Sequence, residues 1–287
     1  MRYQEFLAEL LPVAGAELAA YGATQKDGVQ YPLIALHAGA PELIIFTGFH
    51  GDEPTGPMSM LKHLAEVFAH AQSRQVGLRV YPCANPVGFS EGHRYSGDQK
   101  QTNYIFQYQL ADGTLTGELA GKKVKPVGVV PREKIPEEIA ALAVDLAHLP
   151  KPIGVLDIHQ DGSIKVGQFY FYAYNTKAPF LQLAQQCGQL GAPVKSGQVS
   201  QGGDIEPRKT DADGFIMDWH DGSFTDWYCL QEVPLVLTLE TAAATPFDLA
   251  DQVNLVAMRE MIDLVAKTRG TVPAVAAGAI AAGAGRP

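Results

Sequence analysis

Four residues, His50-Gly51-Asp52-Glu53, close the apolar run from Glu42 to Phe49. A short β-rich segment ending in glycine, histidine and carboxylates reads as a buried strand that delivers its last residues to the rim of a sheet. Open α/β folds place their chemistry at that rim. A histidine and a glutamate with two residues between them can present an imidazole nitrogen and a carboxylate oxygen to one cation. A catalytic zinc site needs three protein ligands and an open position for water, so this pair is two-thirds of one. Taken alone, the four residues are better read as a polar strand-to-loop junction. Two further apolar runs change the balance, because Ile153 to His159 ends in histidine and Val233 to Glu240 ends in glutamate. Strand ends on one edge of an open sheet converge in space although they are far apart in sequence. His37, near the end of another apolar run, reads as a packing or surface histidine.

The elements that must position these groups can be read from periodicity. The first twenty residues read as one or two helices broken near Pro12. The run Val29 to His37 reads as a strand, and its short link to the next run implies a hairpin between the two. After the HGDE turn, Met58, Leu61, Leu64, Val67 and Phe68 form one apolar helical stripe, with His63 and His70 expected to face solvent. Gly77 to Ala84 is a further strand, ended by Asn85-Pro86-Val87-Gly88. From there to Pro131 the chain is polar with little periodicity, a length that in a compact domain marks a functional or mobile loop. Residues 135–149 read as a helix with an acidic first turn, 167–174 as an aromatic strand, 178–190 as a helix, and 247–267 as a closing amphipathic helix. Strands and helices alternate, so the expected architecture is α/β: a mixed, mostly parallel sheet sandwiched by helices. Residues 1–269 are expected to form a single catalytic domain and 270–287 a flexible Ala/Gly-rich tail.

Composition narrows the function. The 287 residues are 46% hydrophobic, enough to bury a substantial core, and carry a net charge of −9. Without a Lys/Arg-rich stripe, nucleic acid and anionic membrane surfaces are poor partners. The three cysteines, Cys83, Cys187 and Cys229, are widely spaced and read as buried thiols of a reducing compartment. Glu5, Glu9 and Glu17 interrupt the apolar start, so no signal peptide is expected and a cytoplasmic location is.

The order HGDE at His50, NPxG at Asn85 to Gly88, DIH ending at His159, Gly222-Ser-Phe-Thr-Asp-Trp227 and TLET around Glu240 resembles the zinc carboxypeptidase superfamily. That superfamily includes the murein peptide amidases and the succinylglutamate desuccinylase and aspartoacylase branch. The resemblance implies a central mixed sheet with one catalytic zinc at its edge, held by His50, Glu53 and His159, and Glu240 as general base. It also implies that Arg94 stabilises the developing oxyanion, and Asp157 is placed for a hydrogen bond behind His159. Where family carboxypeptidases carry an Asn-Arg pair for the substrate's terminal carboxylate, this chain has Asn103-Tyr104. A tyrosine cannot form a bidentate charged pair, so either another cation, such as Arg132 or Arg208, supplies the anchor or the substrate is held differently. The GSFTDW stretch is most similar to murein peptide amidases, and by position Phe224 would floor the specificity pocket or serve as a core aromatic. The leading expectation is a zinc-dependent metallopeptidase of carboxypeptidase type, hydrolysing an amide bond near the carboxyl end of a peptide, with murein-derived peptides among the candidate substrates. The alternatives are an N-acyl amino acid deacylase and, in another class, a non-catalytic zinc-binding protein.

Overall fold

The alternation of apolar residues along the central strands determines how this chain folds around its site. The computed structural model describes residues 1–13, 16–96, 105–109, 115–116, 119–120, 126–129, 135–199 and 208–270. Asn103, Tyr104, Arg132 and nearly all of the expected tail lie outside them. In chain order the elements are α1 (Tyr3–Val13), β1 (Glu17–Lys26), β2 (Val29–Ala38), β3 (Leu43–Thr47), α2 (Thr55–Ser73), β4 (Leu78–Tyr81) and α3 (Pro86–Glu91). Four short strands follow, β5 (Phe106–Gln109), β6 (Leu115–Thr116), β7 (Leu119–Ala120) and β8 (Pro126–Val129). The second half holds α4 (Glu137–Ala147), β9 (Gly154–Asp161), β10 (Gln168–Ala173), α5 (Leu181–Cys187), β11 (Ala192–Pro193), β12 (Phe215–Met217), β13 (Trp219–His220), α6 (Phe224–Leu230), β14 (Leu235–Ala242) and α7 (Phe247–Arg269).

Among the described residues, one sheet runs in the order β1-β2-β4-β3-β9-β14-β10-β11, with β12 also on β10. Its centre, β4-β3-β9-β14, is parallel, while β2 on β4 and β10 on β14 are antiparallel. This is the mixed, mostly parallel sheet the alternation predicted. Successive strand residues point to opposite faces. Leu43 and Ile45 of β3, Leu156 and Ile158 of β9, and Leu235, Leu237 and Leu239 of β14 therefore share one core with α1, α2 and α7. Ile44, Phe46, Val155 and Val236 meet α4 and α6 on the other face. Polar residues at that second parity, Asp157, His159, Thr238 and Glu240, line a cleft.

Three local expectations are corrected. Residues 17–26 are a strand, β1, because antiparallel pairing with β2 outweighs the helical preference of an alanine-rich segment. The hairpin is β1–β2, turning at Asp27 and Gly28 with φ of 50° and 77°, where both central residues take the left-handed conformation that tight hairpins need. β2 and β3 are not neighbours, since β4 inserts between them. His63 and His70 face α7 rather than open solvent, with Nε2 3.0 Å from Asp251 Oδ2 and 2.9 Å from Asp263 Oδ1. The three cysteines are buried and unbridged. Among the described residues no helix is long and apolar enough to cross a membrane.

Candidate metal centre and catalytic cleft

His50 and Glu53 stand in the turn between β3 and α2, and the tightness of that turn has a visible cause. A Cβ on Gly51 would fall 1.9 Å from the Gly88 carbonyl carbon, so the HGDE turn lies directly on the backbone of the NPxG turn. Asn85 caps α3 by accepting from the Gly88 amide at 2.8 Å, and its Nδ2 donates to the carbonyls of Phe49 and Arg94, each at 3.2 Å. The Gly51 amide also donates to the Arg94 carbonyl, at 3.2 Å. The two motifs are thus one structural unit, which fixes His50, Glu53 and Arg94 relative to one another.

Within this unit, Glu53 Oε1 is 2.7 Å from His50 Nδ1 and Glu53 Oε2 is 2.8 Å from His159 Nδ1. All three side chains are buried, and one ligand atom from each lies within 4.8 Å of the others. The Gln160 amide donates to Glu53 Oε2 at 3.0 Å, and the Gln160 side chain accepts from the Thr55 amide at 2.9 Å, clamping the end of β9 to the start of α2. Behind the trio, His159 Nε2 is 3.0 Å from Asp157 Oδ2. Burial works to raise the Glu53 carboxyl, but the imidazoles of His50 and His159 hold it well below the usual carboxylate range. Burial depresses His50. Burial acts the same way on His159, yet Asp157 and Glu53 outweigh it and raise that imidazole well above its ordinary value.

A divalent ion fits this donor set. Two imidazole nitrogens and one carboxylate is a three-ligand combination used for catalytic zinc, and both Nδ1 atoms are turned toward the same carboxylate. Asp157 on the far nitrogen of His159 selects the tautomer that leaves Nδ1 as a lone-pair donor, the usual arrangement behind a ligating histidine. Asp157 Oδ1 is buried without a hydrogen-bond partner. That partly satisfied carboxylate, held against one imidazole, is costly unless positive charge stands close by.

Sheet register places the remaining groups. His159 lies opposite Glu240, which lies opposite Tyr170, and Asp157 lies opposite Thr238, which lies opposite Tyr172. Asp157, His159, Thr238, Glu240 and Tyr172 of these rows line a cleft whose near side also includes His50 and Arg94. Glu240 is half-buried. Burial pushes its carboxyl up to about 8, with Glu53 and Asp161 adding to the rise and His159 and Arg94 opposing it. Arg94 Nη1 is 2.6 Å from Glu53 Oε1, 3.8 Å from Asp52 Oδ1, and its guanidinium lies over the Tyr95 ring. The far side includes Tyr172, Tyr174, Trp219 and Arg208.

Family comparison now has its structural setting. The catalytic-domain model of succinylglutamate desuccinylase/aspartoacylase matches residues 39–263. The chain belongs to this family. It thereby belongs to the zinc carboxypeptidase superfamily, and it carries the fold of that superfamily's hydrolases. A candidate metallopeptidase from Shewanella denitrificans is 24% identical, with a TM-score of 0.67 over 92% of this chain and 89% of that one. Murein-tripeptide amidase MpaA from Escherichia coli O157 is 18% identical, with a TM-score of 0.51 over 88% and 94%. Bovine thrombin-activatable fibrinolysis inhibitor is 13% identical, with a TM-score of 0.60 over 95% and 98%. A search of curated proteins finds no match.

Of the residues singled out in the sequence, His50, His159, Glu240 and Arg94 line one cleft, and Glu53 is buried against His50, His159 and Arg94. Phe224 does not line it. Its side chain is fully buried at the start of α6 and packs on Phe49 at 5.5 Å and on Phe46 at 6.0 Å between ring centroids, so it is a core aromatic. Gln160, Thr238 and the tyrosines of β10 escaped the sequence reading. A signal for the tyrosines was present, because phenylalanine and tyrosine alternate from Phe169 to Tyr172. Period two sends the phenylalanines to the core and the tyrosines to the cleft side.

Proposed function

We propose that this chain is a zinc-dependent amide hydrolase acting near the carboxyl end of a peptide, with residues 1–269 as its catalytic domain. The observation that carries the proposal is the register of β9 and β14, which sets Glu240 beside His159 and next to the His50-Glu53-His159 trio. A zinc ion held by those three side chains would supply a Lewis acid and a bound water of pKa about 7. Glu240 accepts a proton from the attacking water and returns it to the leaving amine. Burial pushes the Glu240 carboxyl up in the metal-free site, and a zinc ion beside it would draw it back down, leaving a base stronger than an ordinary carboxylate that ionises at working pH. Arg94 donates hydrogen bonds to the oxyanion that develops on the substrate carbonyl. Asn103 and Tyr104 are assigned to the substrate by resemblance.

A second reading, hydrolysis of N-acyl amino acids, is favoured by the family match itself. The similarity in fold to a murein-tripeptide amidase makes murein-derived peptides the first to assay. A non-catalytic zinc-binding protein would have no use for a carboxylate set opposite His159 in an open cleft. The deciding experiment is a product assay of the zinc-loaded protein on short peptides, γ-glutamyl and murein peptides, and N-acyl amino acids. Release of a carboxyl-terminal residue or amine-bearing fragment supports the proposal; release of the acyl group from N-acyl amino acids alone moves the assignment to the second reading. No turnover of any of them refutes both.

A further inference from the structure

One buried residue touches both halves of the metal trio without belonging to it. Gln160 follows His159 on β9. Its backbone amide donates to Glu53 Oε2 at 3.0 Å, and its side-chain oxygen accepts from the Thr55 amide at 2.9 Å. Thr55 opens α2, two residues after Glu53. The glutamine is therefore joined at once to the carboxylate, to the helix that follows it, and through the chain to the neighbouring imidazole. It is buried, so little water competes for the bond to Thr55.

The start of α2 needs this contact. The first amides of a helix have no partner inside it, and a side-chain oxygen from the residue just before usually satisfies one of them. Here that residue is Pro54, which makes no side-chain capping bond. Pro57 in the first turn brings no N–H of its own, and the Met58 amide already reaches the Pro54 carbonyl at 3.0 Å. The cap that the local sequence lacks comes from 105 residues along the chain. Space at this joint is also tight, because a Cβ on Gly56 would lie 3.2 Å from Thr47 Cβ and 3.3 Å from the Ile158 carbonyl oxygen. The first turn of α2 thus rests on the end of β3 and on β9 beside His159, the strands that lead to the two imidazoles.

We propose that Gln160 is a positioning residue that sets how tightly and for how long the trio holds its metal ion, by capping α2 and so fixing Glu53 against His50 and His159. This rests on the metal-site reading above and concerns retention of the ion rather than the chemistry carried out at it. A carboxylate at a fraying helix end spends part of its time away from the two imidazoles, and a site short of one of its three ligands lets its ion go. The side chain is what can be tested, because any residue other than proline at this position keeps the backbone amide that bonds Glu53.

The test uses full-length protein loaded with one zinc per chain, with release into an excess of a chromophoric chelator timed at neutral pH. Gln160→Leu, which keeps the bulk but has no acceptor, should release zinc about ten- to a hundredfold faster than wild type. Gln160→Glu, whose carboxylate can still accept from Thr55 at a helix N-terminus, should stay within about threefold of wild type. Amide hydrogen exchange of the metal-free proteins reads the cap without zinc: residues 53–58 should exchange about tenfold faster in Gln160→Leu, with α7 unchanged. Equal zinc release by wild type and Gln160→Leu overturns the proposal. So do unchanged exchange at 53–58, faster exchange spread through α7 as well, or equal zinc loss from the leucine and glutamate variants. Each of these leaves the metal reading standing, whereas wild-type protein that takes up no zinc overturns that reading and the proposal together. Should near-ultraviolet circular dichroism show Gln160→Leu to be misfolded, Gln160→Asn, whose amide is one methylene shorter, carries the same comparison.

Discussion

Replacing Glu240 by glutamine should stabilise the metal-free protein at pH 8 and change it little at pH 5. The carboxyl is raised from an ordinary value of 4.5 to about 8, chiefly by burial. Folded protein therefore binds this proton more tightly than unfolded protein does. The group's contribution to stability is fully present below pH 4.5 and is lost as pH rises through about 8. Each pH unit in that window is worth about 1.4 kcal/mol, or about 5 kcal/mol across the whole of it and about 3 kcal/mol at pH 7. The carboxyl opens onto a cleft, so solvent screening reduces the effect, and about 2 kcal/mol is the expected gain for glutamine near pH 8. In a domain of this size that corresponds to roughly 4–8 °C in Tm. Thermal melts of chelated wild-type and Glu240→Gln proteins between pH 5 and pH 8.5 measure it directly. A Tm gap that is absent at pH 8, or identical at pH 5 and pH 8, would show that Glu240 is not held neutral by its surroundings and would remove the physical basis for its role as a tuned base.

Further expectations follow from the same geometry. Zinc-loaded Glu240→Gln should keep about one metal ion per chain by elemental analysis while losing roughly a hundred- to ten-thousand-fold in rate; wild-type turnover in this variant would take Glu240 out of the mechanism. Asp157→Asn should weaken zinc affinity by about ten- to a hundredfold in a competitive chelator titration, because Asp157 orients His159 through Nε2. Gly51→Ala should cost several kcal/mol in urea unfolding and lower metal occupancy, since the added methyl would fall on the Gly88 backbone. Phe224→Ala should cost about 3–5 kcal/mol as a core cavity and leave substrate preference where it was, so a switch in preference without a loss of stability would return Phe224 to the specificity pocket.

Much of the site was legible in the chain. HGDE, DIH and TLET each end an apolar run, and buried strands that stop on histidine or glutamate announce groups presented at a sheet edge. The sandwich of helices on a mostly parallel sheet was also readable, because α2, α4 and α7 carry apolar stripes while β3, β9 and β14 each begin as an apolar run. Less legible were elements decided by their neighbours. Residues 17–20 read as helical together with the rest of the first twenty and become strand only by pairing with β2. Phe224 fits a pocket or a core equally well as a letter in a motif, and stacking on Phe49 makes it core.

Residue types and the parity of strand positions are local properties, so the sequence by itself determined which donors exist and that Asp157 and His159, like Thr238 and Glu240, must share a face. Which strands become neighbours, and in what register, is decided by burying both faces of the sheet at once. A slip of one residue between β9 and β14 would turn Glu240 away from His159. Only the tertiary structure could therefore set Glu240 beside the His50-Glu53-His159 trio and bring Arg208 onto Tyr172 and Trp219.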